Sequence, residues 1–127
     1  MHNENVATEV EQLRSRYVES LDAVERASGR TIAALEDAGR ARDIARGIVS
    51  SGRPLVELER ELELQPLRSS VSDALAELER ARHDAQRLLF ILLNAEGQTL
   101  ADIGRSYGIS RQLVSRLVNE PDPEPPA

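Results

Sequence analysis

Residues 99–119, TLADIGRSYGISRQLVSRLVN, constrain the fold of this chain more than any other segment. Their apolar residues are spaced as on two short helices: Leu100, Ile103, Tyr107, Ile109, Val114 and Leu117. Gly108, between the two helices, supplies the positive φ that ends the first one. Gly104 lies midway along the first helix, where helices that cross at roughly 90 to 120° approach most closely. The segment therefore predicts a helix-turn-helix.

Capping residues support the same helix boundaries. Thr99 precedes the first apolar residue and Asp102 follows three residues later, as in a capping box. Ser110 can cap the second helix in the same way. With Val114 and Leu117 buried, the helical period turns the polar residues of the second helix outwards: Arg111, Gln112, Ser115, Arg116 and Asn119. These side chains suit DNA, because arginine can hold guanine, glutamine can hold adenine, and serine or helix-start amides can bind phosphate.

The segment from Gly97 to Asn119 resembles the helix-turn-helix of the sigma-factor region 4, resolvase and homeodomain-like group. The resemblance covers less than a fifth of the chain and implies that the second helix lies in the major groove. By position it assigns the DNA-facing residues Ser110, Arg111, Gln112, Ser115 and Arg116, with Thr99 and Arg105 close to the DNA backbone. Gly104 departs from the group, in which alanine is commoner at this position. The alternative interpretation is an ordinary helical hairpin within a bundle.

Composition favours an all-α protein without a catalytic centre. The chain has 127 residues with 2% aromatics, so a large core would have to consist of leucine, valine, isoleucine and alanine, as in helical bundles and coiled coils. The absence of cysteine excludes disulfides and thiolate metal sites. His2 and His83 are far apart in sequence, and the acidic residues between 57 and 63 alternate on two helix faces. We therefore predict no enzyme activity, no catalytic residues, no cofactor and no metal.

Charge and hydropathy patterns indicate where the protein acts. The net charge is −6, but residues 80–119 contain six arginines against three acids. A local basic face on an acidic chain favours specific over indiscriminate nucleic-acid binding. There is no signal-peptide layout, and the longest apolar run, 88–93, is too short for a membrane span. These observations predict a cytoplasmic, nucleoid-associated protein; because all sixteen basic residues are arginine, they also suggest a bacterium with a GC-rich genome.

The amino-terminal region is predicted to be helical with several interruptions. An amphipathic helix covers 4–28; Ser28 and Gly29 interrupt it, and Thr31 either starts a second helix or continues the first. Residues 50–54, SSGRP, form a firm break. A short helix over 55–64 should end at Pro66, and Ser70 with Asp73 should cap a long helix that runs to Gly97.

The predicted organisation combines an oligomerisation region and a DNA-binding domain. Residues 1–66 form long helices in an antiparallel arm or bundle, 67–87 a connecting helix, 88–119 a three-helix head with the helix-turn-helix, and 120–127 a disordered tail. The segment 88–95 is apolar on nearly every side, so it must be buried against other helices, either of this chain or of a second copy. We therefore predict a homodimer, with an intramolecular bundle as the alternative.

The predicted function is that of a sequence-specific binder of double-stranded DNA. It would act as a homodimeric transcriptional regulator or nucleoid-associated protein. The alternative is a helical module that docks RNA polymerase or a sigma factor.

Overall fold

The computed structural model describes residues 2–122, with side chains from residue 6 onwards. Its five helices are α1 His2–Ser50, α2 Val56–Glu61, α3 Leu64–Ala95, α4 Leu100–Tyr107 and α5 Arg111–Val118. The described range contains no β-strand, which confirms the all-α class. None of its helices combines the length and apolar character that a membrane crossing requires.

Helix α1 is continuous through Ser28 and Gly29, the position at which the sequence left two possibilities open. Glycine in a helix interior costs about 1 kcal/mol relative to alanine. On either side of Gly29, Ala27 and Thr31 are buried, and the Thr31 hydroxyl donates to the Ala27 carbonyl at 2.8 Å. Burial of this face offsets the cost of the glycine. Helix α1 ends at the predicted break, where Gly52 has a φ of +73°.

The boundaries of α2 and α3 differ from the prediction. Helix α2 spans only Val56–Glu61 and contains no buried residue. Helix α3 begins at Leu64, before the predicted cap at Ser70, so Pro66 lies in its first turn instead of ending the preceding helix. Proline is tolerated there because the first-turn N–H groups have no partner within the helix.

Residues 23–81 form one compact unit, in which α1 and α3 pair antiparallel within one chain. The Thr31 hydroxyl lies 3.3 Å from the Ala74 carbonyl, and Arg30 forms an ion pair with Glu77. Inward-facing residues recur on both helices at the alternating steps of three and four found in coiled coils. These are Ala27, Thr31, Ala34, Ala38, Ala41, Ala45 and Ile48 on α1, and Leu67, Val71, Ala74, Leu78 and Ala81 on α3. Most of the α1 set are small, which permits close approach of the two helices.

The described residues 2–22 and 82–122 belong to the other compact unit. Its core consists of Phe90 on α3, Ile103 on α4 and Val114 on α5, each fully buried. The rings of Phe90 and Tyr107 meet edge to face with centroids 5.0 Å apart. The end of α3 therefore packs against α4 and α5 as a third helix. Within the apolar segment 88–95, Leu88, Phe90 and Leu92 are buried and the apolar residues between them are half-buried in one chain, so the segment does not require a second copy to cover it.

Candidate nucleic-acid interface

Helices α4 and α5 are joined by a tight turn with the predicted caps. The Thr99 hydroxyl accepts a hydrogen bond from the Asp102 N–H at 3.0 Å. The Ser110 hydroxyl accepts one from the Leu113 N–H at 3.1 Å. Gly108 ends α4 with a φ of +68°, and each capped helix has eight residues. The predicted hydroxyl caps at Thr99 and Ser110 are confirmed, whereas the Asp102 carboxylate pairs with Arg105 instead of completing a capping box.

Gly104 lies where α4 approaches the turn most closely. A Cβ atom at this position would lie 2.8 Å from the Ile109 carbonyl oxygen. The contact is with backbone, which cannot rotate away as a flexible side chain could. The departure from alanine noted in the sequence thus has a steric cause, and the glycine fixes how α4 meets the segment leading into α5.

Three predicted DNA-facing residues lie exposed on α5. The side chains of Arg111, Gln112 and Arg116 form no hydrogen bond or ion pair with any other residue in the described range. Together with Ser115 they line an open groove of about 900 Å³. Leu100, Leu113 and Leu117 contribute apolar surface to the same groove.

The other predicted residues are nearby but engaged within the protein. The hydroxyls of Thr99 and Ser110 act as helix caps, and Arg105 is ion-paired with Asp102. The Asn119 side-chain amide donates to the Ser115 carbonyl at 2.8 Å and lies 3.3 Å from the Ser115 hydroxyl. Ser115 itself is half-buried. The side chains of Arg111, Gln112 and Arg116 are therefore the ones ready to accept an external partner.

A contact that sequence reasoning missed involves Arg87, one of the six arginines of the basic segment. Arg87 is only 4% exposed; it donates to the Glu120 carbonyl at 3.2 Å and forms an ion pair with Asp122. Arg16 of α1 bonds the same carboxylate at 3.0 Å. We call Arg16, Arg87 and Asp122 the tail clasp. Hydrogen bonds from Arg87 and then Arg16 hold the pKa of Asp122 below its usual value.

The tail clasp changes the electrostatics expected from sequence. Residues 120–122 of the predicted tail contact the folded unit, while residues 123–127 lie outside the described range. Glu120 lines the groove beside α5 and lies 2.7 Å from the His83 ring nitrogen. Because Asp122 neutralises Arg87 and Asp102 neutralises Arg105, the uncompensated positive charge along α5 comes from Arg111 and Arg116.

Other candidate chemistry is limited in the described range. No group of three histidine, aspartate or glutamate side chains in residues 2–122 is arranged to hold a metal ion. In the acidic run of α2, Arg53 bonds Glu57 at 2.5 Å and also pairs with Glu61.

Comparisons with protein-family models, curated proteins and solved structures yield no match.

Proposed function

We propose that this protein is a sequence-specific binder of double-stranded DNA, acting as a homodimeric transcriptional regulator or nucleoid-associated protein and not as an enzyme. In this proposal α4 and α5 form a helix-turn-helix, and α5 enters the major groove. The observation that supports it best is the exposed set Arg111, Gln112 and Arg116, whose polar groups have no partner in the described part of the chain.

The chemistry of these three residues matches base edges in the major groove. Each guanidinium can donate two parallel hydrogen bonds to guanine O6 and N7, and the glutamine amide can pair with adenine N6 and N7. The first amides of α5 point beyond the helix start, where they can bind a phosphate and fix the register. Binding would not require an internal ion pair of Arg111 or Arg116 to be broken.

A single head with two uncompensated arginines would bind DNA weakly, because phosphate neutralisation supplies most of the non-specific affinity. Two heads on one molecule raise the affinity through effective concentration. A homodimer with two-fold symmetry would recognise a palindromic site whose half-sites are about 10 bp apart or a multiple of that distance.

The alternative function is docking of a protein such as RNA polymerase or a sigma factor. The apolar lining of the groove beside α5 favours it, because Leu100, Leu113 and Leu117 could receive an apolar side chain. A docking protein would retain its partner after loss of Arg111 and Arg116 and would not retard duplex DNA.

The test is selection of bound sequences from random duplex DNA, followed by affinity measurements on the selected site. Replacing both arginines, Arg111→Ala with Arg116→Ala, should lower affinity by a factor of about 30 or more, since each base contact contributes about 1 to 3 kcal/mol. The matched control is Arg26→Ala with Arg60→Ala, which removes the same charge from two exposed arginines elsewhere. Equal affinity of the two double variants would refute the proposal.

A further inference from the structure

We propose that a second copy of this chain binds antiparallel along the solvent side of α1, centred on Ile32 and Leu35. The inference rests on the homodimer of the proposed function and assigns a surface to it. All residues involved belong to the compact unit of residues 23–81.

An apolar patch lies exposed on one flank of the paired helices of this unit. Ile32 is 57% exposed, Leu35 45% and Leu75 46%. The Arg30–Glu77 ion pair bridges the other flank of the helix pair. In the coiled-coil register set by Thr31 and Ala74, Leu35 and Leu75 both occupy the position on the side away from that ion pair. Neighbouring exposed apolar groups with a polar rim are typical of interaction surfaces.

A stripe on α1 that contains this patch has the spacing of a second coiled-coil seam. Its members follow at steps of three, four, three, four and three: Glu25, Ser28, Ile32, Leu35, Gly39 and Arg42. We call these six residues the outer stripe. They lie beside the inner face that packs on α3, and all of them are exposed or half-exposed. Helix α1 therefore has two seams with coiled-coil spacing. Helix α3 of the same chain packs on one of them, and the outer stripe is available for a second helix.

The outer stripe is self-complementary when a second copy runs antiparallel. A two-fold axis midway between residues 33 and 34 pairs Ile32 with Leu35 of the other copy. It also pairs Ser28 with Gly39, and Glu25 with Arg42. Each contact then occurs twice, as an isologous interface requires. Neither Glu25 nor Arg42 forms an ion pair within the described residues, so both charges are available to the partner.

Small residues in the stripe leave room for the exposed leucine of α3. The antiparallel register places Leu75 level with the turn of α1 from Ser28 to Ile32. In the two-fold arrangement Ser28 faces Gly39, and neither residue fills the space between the two α1 helices. Leu75 can cover that gap from the side and lose its exposed apolar surface. The stripe thus specifies another copy of itself by shape, apolar content and charge.

The first test is sedimentation equilibrium of the full chain without DNA. The wild type should be a dimer, whereas Ile32→Glu with Leu35→Glu should raise the dissociation constant about 100-fold or more, since the interface would bury unpaired carboxylates. The control is Val49→Glu with Leu55→Glu, which changes two residues of similar exposure outside the stripe. Helical content and thermal unfolding of each variant report whether the chain still folds.

The second test exchanges the terminal charges of the stripe. Glu25→Arg and Arg42→Glu should each weaken self-association about tenfold, because like charges then face each other at both ends. An equimolar mixture of the two variants should form a heterodimer with about the wild-type affinity, since opposite charges again meet.

A wild-type mass of 14.0 kDa at tens of micromolar, or a dimer insensitive to Ile32→Glu with Leu35→Glu, would overturn the inference. A mixture that associates no better than its components would overturn the antiparallel register. These measurements contain no DNA, so they can fail while the dependence of DNA binding on Arg111 and Arg116 stands, and the reverse also holds.

Discussion

At the scale of single residues, Gly104 carries the sharpest steric constraint of the proposed DNA-binding head. We expect Gly104→Ala to lower the free energy of unfolding by about 1 to 3 kcal/mol, the usual range for overpacking. The substitution gains about 1 kcal/mol in helix propensity, but its Cβ would lie 2.8 Å from the Ile109 carbonyl oxygen. Urea unfolding followed by circular dichroism measures the change.

The matched control for that substitution is Gly29→Ala, also in a helix interior. A Cβ atom at Gly29 has no neighbour within 4 Å, so alanine should stabilise the protein by about 0.5 to 1 kcal/mol. The two substitutions are chemically identical, but they should change the free energy of unfolding in opposite directions. A stabilising Gly104→Ala would mean that α4 and the turn can separate without cost.

The tail clasp makes stability depend on acid pH through Asp122. Its pKa is lower in the folded chain than the usual value of 3.8, so the clasp stabilises the fold above that pH. The stabilisation is lost as pH falls through the lowered pKa. Asp122→Asn should therefore be less stable than the wild type at pH 7, with the difference vanishing at acid pH.

Urea titrations at pH 7 and at a series of acid pH values from 3.8 down through the lowered pKa of Asp122 measure this prediction. Glu19→Gln is the control, since Glu19 is an exposed carboxylate of α1 without an ion pair in the described range. If the difference in free energy of unfolding between Asp122→Asn and the wild type stayed constant across this pH range, the stabilisation by the tail clasp would not depend on the charge of the Asp122 carboxylate.

At residue scale the sequence predicted local interactions better than distant ones. Thr99, Gly108 and Ser110 act on backbone within three or four residues, so their roles follow from spacing alone. The partner of Arg87 is 35 positions away in a proline-rich segment, and no local pattern links them. For the same reason, the number of arginines in the basic segment is visible in the sequence, but the sequence does not show which of them are neutralised by an acidic partner.

At the scale of elements, the two short helices depend on their caps more than the long ones do. Ser110→Ala should lower the free energy of unfolding by about 1 kcal/mol, because the Leu113 N–H loses its acceptor. Ser106→Ala, at an exposed position inside α4, is the control and should be neutral or slightly stabilising. Thermal unfolding of both variants measures the difference; equal midpoints would contradict a capping role.

Element boundaries show which sequence signals packing can override. Gly29 weakens α1 locally, yet burial of Ala27 and Thr31 against α3 keeps the helix continuous. Pro66 could equally end one helix or lie in the first turn of the next, and only the start of α3 at Leu64 distinguishes these possibilities. The break over residues 50–54 was predicted correctly, because Gly52 tolerates the φ of +73° that follows α1 and Pro54 disfavours a helical conformation at Arg53.

At the scale of the whole molecule, acidic and basic residues are unevenly distributed. The net charge is −6, and the tail clasp removes one further arginine from the surface of the proposed head. In the proposed function, DNA binding would then depend on a few local contacts instead of on general electrostatic attraction. This arrangement favours discrimination between sequences over high affinity.

The salt dependence of DNA binding tests this distribution of charge. In the proposed dimer, the four guanidinium groups of Arg111 and Arg116 set an upper limit on the phosphate charges that these residues can neutralise, whether they contact bases or phosphates. The logarithm of affinity should therefore fall with the logarithm of salt concentration with a slope no steeper than about −4. Affinity for the selected site would then drop by at most about 250-fold between 50 and 200 mM salt. Replacing both arginines with alanine should flatten the slope towards zero, whereas the Arg26→Ala, Arg60→Ala control should retain it. A slope near −10, or one unchanged by loss of Arg111 and Arg116, would place the phosphate contacts on another surface of the protein.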